Sequence, residues 1–120
     1  MPHINAESLR QFIQGDEGLL ADLATMFVEA LSDCKARLRF SVRGSDATML
    51  RDAAHLLASR LGYFQADGLR EQAKHLEQCG INNQLGDARV LVDQLIKGLD
   101  ELVIELRQLT QLPLLDSEDD

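Results

Sequence analysis

The chain of 120 residues is one domain's worth of sequence, long enough to bury an apolar core without disulfide or metal staples. Hydrophobic residues make up 45% of it, yet only four Phe and one Tyr occur, so aliphatic side chains must fill the core, and Leu-rich composition favours helix over strand. The net charge of −8 argues against general nucleic-acid binding, and no apolar run suits a signal peptide or approaches the ~20 residues of a membrane span, so a soluble, cytoplasmic domain is expected.

In chain order, Met1 to Ile4 read as a frayed end, with His3 a tail residue rather than a ligand. Asn5 can cap a short helix containing Leu9, Phe12 and Ile13, and Gly15 ends it. Asp16 reads as the N-cap of a long second helix. Its expected apolar stripe is Leu19, Leu20, Leu23, Met26, Phe27, Ala30, Leu31, Cys34 and Leu38. Gly44 stops that helix near Arg43, and Ser45 or Asp46 starts a third.

In the third helix Leu50, Ala54, Leu57, Leu61 and Phe64 recur at spacings of three and four. At roughly 100° per residue they share one stripe, and His55 points to the opposite side. Nearest His55 on that outer face come Thr48, Arg51, Asp52, Ala58, Ser59 and Gly62, all small or polar. Another protein's surface can approach such a histidine closely. Gln65 to Asp67 make a turn, and Asp67 is the expected cap of a fourth helix with Leu69, Ala73 and Leu76 inward and Gly80 as terminator. A loop over 81–86 follows.

The last helix is expected from about Asp87 to Gln111, with Ala88, Val92, Leu95, Leu99, Leu102, Leu106 and Leu109 in 4-3 spacing and Pro113 beyond its end. That seam suits a dimeric coiled coil or one inner helix of an antiparallel bundle. Three other amphipathic helices need a partner, which favours the bundle and a monomer. Residues 1–112 thus form one helical domain, and 113–120 an acidic, disordered tail. Cys34 and Cys79 are too few for a disulfide framework and read as reduced thiols. His75 and Cys79 have a zinc-compatible i, i+4 spacing, but two ligands make no site, so no metal is expected.

Ala54-His55, then Leu57, Ser59, Ala66 and Leu69, and Leu76-Glu77 with Gly80, resemble the histidine-containing phosphotransfer (HPt) domain. The resemblance implies an all-α fold, an antiparallel four-helix bundle here preceded by a short extra N-terminal helix. It implies that His55 carries a phosphoryl group between a response-regulator receiver domain and another receiver or a hybrid sensor kinase. Such a domain is a phosphocarrier rather than an autonomous enzyme. It needs no cofactor of its own, and Mg2+ is expected on the receiver. Glu77, at the family's offset, would accept a hydrogen bond from the imidazole and orient it.

The chain departs from the family pattern at Ala58 and Ile81, where basic residues are usual, and at Ala73 and Gln65, which read as packing and turn variations. Arg51, one turn before His55, and Lys74, one turn before Glu77, are the candidate replacements beside the phosphoryl group. Arg60 lies nearer the core side. The missing cations also admit a second reading, an HPt-like module that docks a receiver or kinase without carrying phosphate. Between Lys35 and Lys74 eight basic residues face four acidic ones, a local +4 that leaves −12 for the rest and suits an acidic docking partner.

Overall fold

The computed structural model describes residues 2–111, and helices are the only regular elements among them. They are α1 (Ala6–Phe12), α2 (Glu17–Arg43), α3 (Ala47–Gly62), α4 (Asp67–Ile81) and α5 (Ala88–Thr110). Three begin on side-chain caps. Asn5 accepts from the Ser8 N–H, Asp16 from Leu19 and Asp46 from Met49, each satisfying a donor that the helix leaves unpaired. Asp46, not Ser45, is therefore the start signal of α3. Asp67 does not cap α4: Ala66 holds that position without a side-chain bond, and Asp67 is the first helical residue. There its carboxylate favours the positive end of the helix dipole instead.

Helices α2 to α5 form the four-helix bundle, packing as the neighbours α2–α3, α3–α4, α4–α5 and α5–α2, with α3–α4 the most intimate pair. Leu9 and Ile13 of the N-terminal segment join the same core. As composition requires, that core is aliphatic, with one aromatic contact, Phe27 edge-on to Phe64 at 5.2 Å between centroids. The α5 seam from Ala88 to Leu106 is buried, and Leu109 is partly so. The seam that could have served a coiled-coil dimer is thus consumed inside the chain.

The expected stripe on α2 needs correction. Leu19 and Met26 are exposed and Ala30 is only half-buried, while Ala24, Val28, Lys35, Ser41 and Val42 are buried. A 27-residue helix that packs on both α3 and α5 buries a wide arc, displaced from the stripe that hydrophobicity alone suggests. Lys35, only 1% exposed, ion-pairs through Nζ with Asp100 of α5, and Ser41 donates to the Leu38 carbonyl.

Two ends also differ from expectation. Residues 2–4 are not frayed: the His3 and Ile4 N–H groups donate to the Glu105 carboxylate, each at 2.9 Å, and Ile4 enters the core. His3 Nε2 lies 2.8 Å from Glu101, and that hydrogen bond lowers the Glu101 pKa. Gly80 does not end α4, which continues through Ile81. The acidic tail 113–120, Pro113 and Met1 lie outside the described residues. Among the described residues no helix is long and apolar enough to cross a membrane.

Candidate functional site

Gly80 shows how the site is assembled. A Cβ there would stand 2.6 Å from the Arg51 backbone N and 2.8 Å from the Ala47 carbonyl O, closer than real Cβ contacts allow. The hydrogen in its place lets the α4 backbone press on the first turns of α3. Ala54, Ala58 and Ala73, all buried, keep the seam between the two helices narrow. Glu77 sits one turn before Gly80, and His55 one turn after Arg51. The close approach therefore brings their side chains together on the outer side.

His55 is 68% exposed at its side chain, Glu77 22%, and His55 Nδ1 lies 2.7 Å from Glu77 Oε2. An ionised carboxylate can only accept, so Nδ1 carries the proton and donates it. In the neutral ring Nε2 is then unprotonated, its lone pair directed away from Glu77. The arrangement is an exposed nitrogen nucleophile whose tautomer is set by a half-sheltered carboxylate. Ser59 is exposed, and its hydroxyl donates to the His55 backbone carbonyl at 3.2 Å.

The other expected residues divide. Thr48, Arg51, Asp52 and Ser59 are exposed on the His55 face, and Gly62 is half-buried. Ala58 is not on that surface: it is 6% exposed and belongs to the core, because α4 covers its side of α3. Arg51 Nε pairs with Asp52 Oδ1 at 3.0 Å, and Lys74 Nζ lies 3.8 Å from Glu71 on its own helix. Such surface pairs are worth about 0–1 kcal/mol, so either cation can turn to a better anion.

Two features escape a reading of the sequence. Leu56 and Tyr63 are exposed on the flank of α3 that faces α2, where Tyr63 lines a groove with Leu23 and Met26. On the opposite flank Arg70 of α4 packs its Nε 3.7 Å from where a Gly62 Cβ would be. Its position seven residues before Glu77, on the same face of α4, was the available signal.

The two cysteines do not compete as reactive centres. Burial pushes the Cys34 thiol up to about 11 and raises that of Cys79, so neither supplies a ready thiolate. Among the described residues no three His, Cys, Asp or Glu side chains are grouped to hold a metal ion, and His75 with Cys79 gains no third ligand.

Comparison with protein families gives a match to the model described as the Hpt domain over residues 22–109, from early α2 to the last turn of α5. Curated proteins and solved structures give no match.

Proposed function

The chain belongs to the Hpt domain family, whose activity is histidine phosphotransfer in two-component signalling, and we propose that His55 is its phosphoryl acceptor. The observation that carries this reading is the 2.7 Å Nδ1–Glu77 contact on an exposed ring. Hpt domains interact with receiver domains and kinases. Here the donor is a receiver domain phosphorylated on aspartate, alone or within a hybrid sensor kinase, and the acceptor of the onward step is another receiver. Nε2 attacks phosphorus in line, the N–P bond forms as the acyl-phosphate P–O bond breaks, and the aspartate leaves as a carboxylate. Nδ1 keeps its proton on Glu77 throughout.

The charge on the transferring group would be met mainly by the receiver, whose carboxylates would hold a Mg2+ against it. This chain contributes position: a fixed helix, an open approach and one tautomer. Arg51 and Lys74 are the phosphate neighbours, released from their weak surface pairs when the anion arrives. Thr48, Asp52, Ser59 and Gly62 form the contact surface, while Ala58 acts beneath it by keeping the α3–α4 seam narrow. The domain works as a cytoplasmic monomer, its α5 seam already occupied.

The test needs no partner. A small phosphoramidate donor should place an acid-labile, base-stable phosphate on His55, and His55→Gln should remove it with the fold intact. Absence of label on a folded wild-type protein would end the phosphocarrier reading. It would favour the docking module, for which the buried Ala58 and the exposed, apolar Ile81 in place of cations already speak.

A further inference from the structure

Arg70 presents an unusual combination. Its Nε is sealed from solvent and has no hydrogen-bond partner, the sole buried side-chain nitrogen or oxygen in that condition among the described residues. Neither an ion pair nor another hydrogen bond holds the guanidinium to a described residue. Folded proteins rarely leave such a donor unpaired, because its desolvation is uncompensated. The side chain nevertheless packs beside Gly62, with its Cδ 4.0 Å and its Nε 3.7 Å from where a Cβ would stand.

Helix geometry relates this place to the histidine. Gly62 follows His55 by seven residues, and Arg70 precedes Glu77 by seven. Seven residues are nearly two turns, so each pair shares a helix face and is separated by about 10 Å along the axis. The α3–α4 seam therefore carries two rungs on one side, His55 with Glu77 and Gly62 with Arg70. The first rung is a hydrogen-bonded partnership between a ring and a carboxylate. The second has a cation and no anion.

A separation of about 10 Å is too great for Arg70 to touch a phosphoryl group on His55, which distinguishes it from Arg51 and Lys74, each one turn from a residue of the first rung. What Arg70 can reach is the surface of whatever protein sits over His55. Arg70 also belongs to the stretch from Lys35 to Lys74 that is net positive within an acidic chain.

We infer that Arg70 is a docking cation whose terminal guanidinium nitrogens, not sealed as Nε is, pair with a carboxylate on the incoming receiver domain, about 10 Å from the receiver's phosphorylated aspartate. The inference rests on the phosphocarrier reading above. Burial of Nε restricts the base of the guanidinium before the partner arrives, so less freedom is lost on binding. The pairing sets the register of the complex, so that the aspartyl phosphate meets Nε2 rather than a neighbouring point on the face.

The experiment takes phosphorylated receiver domains from the source genome, identifies one that transfers to the wild-type protein, and compares Arg70→Gln and Arg70→Lys on it at two ionic strengths. Labelling of His55 by phosphoramidate runs alongside as a partner-free control. Arg70→Gln should raise the KM for the receiver about tenfold, leave kcat within about twofold, and flatten the salt dependence of KM, with partial rescue by Lys. Its labelling rate and thermal midpoint should match or exceed those of wild type, since the unpaired donor has been removed. A receiver KM and salt response unchanged in Arg70→Gln would overturn the docking role while leaving the phosphocarrier reading intact. So would normal labelling of His55 with no receiver able to exchange phosphate. Wild-type protein that takes no label would overturn the phosphocarrier reading, and the docking role with it.

Discussion

The Lys35–Asp100 and His55–Glu77 contacts each bridge neighbouring helices of this bundle, in contrasting surroundings. On the α2–α5 side, Lys35 is buried among aliphatic residues and meets a half-exposed Asp100. On the α3–α4 side, the more exposed His55 meets a half-sheltered Glu77 over a seam narrowed by Gly80 and small alanines. A buried ammonium must keep its partner, because water cannot replace it. An exposed imidazole can lose or gain a proton or a phosphoryl group at modest cost to the fold. The same kind of contact is thus a constraint on folding in one place and a device for orienting a nucleophile in the other.

The comparison is broken most severely by His55→Gln. Phosphoramidate labelling should be lost entirely, with unfolding free energy within about 0.5 kcal/mol of wild type, as for other exposed positions. Asp100→Ala should do the reverse. Stability should fall by about 2–3 kcal/mol in urea titration, because a buried charge loses one of its partners, with the larger cost tempered by Asp100 being 53% exposed. Labelling of the folded fraction should persist. If Asp100→Ala lost label without losing stability, the division between the two pairs would be wrong.

Gly80→Ala tests whether the narrow seam is the foundation of the site. The added methyl would press on the Arg51 and Ala47 backbone and should cost about 1–3 kcal/mol. It should also loosen the His55–Glu77 contact, visible as a change in the imidazole tautomer signals by NMR. Glu77→Ala removes the orienting acceptor, with an expected tenfold fall in labelling rate, about 1.4 kcal/mol, and little change in melting temperature. The smallest effect is expected from Ala58→Lys. The new stem must emerge from a buried position to reach the face, and it should lengthen the phosphohistidine lifetime a few-fold if a cation is limiting there.

The site was legible in part because its elements are local. The outward direction of His55 follows from the apolar spacing of α3 itself, whereas Glu77 was named only through the family resemblance. Ala58 was misjudged for an equally physical reason. One helix in isolation gives it the same angular claim to the His55 face as its neighbours, and only the position of α4 covers it. Gly80 was taken for a helix stop because glycine commonly marks one, whereas here its value is the missing Cβ against another helix. His3 and Ile4 looked like a free end until α5 supplied carboxylates for them to bind.

Periodicity and caps act within a few residues of chain, so they sufficed to mark a helical domain, the starts of its five helices to within a residue, and the outward direction of His55. Tertiary structure alone decided that Lys35 could be buried, that Ala58 would be covered, that Glu77 would reach Nδ1, and that Arg70 would stand beside Gly62 without an internal anion. Each of those outcomes depends on the distance between two helices and on a partner elsewhere in the chain, quantities that local patterns of hydrophobicity do not contain.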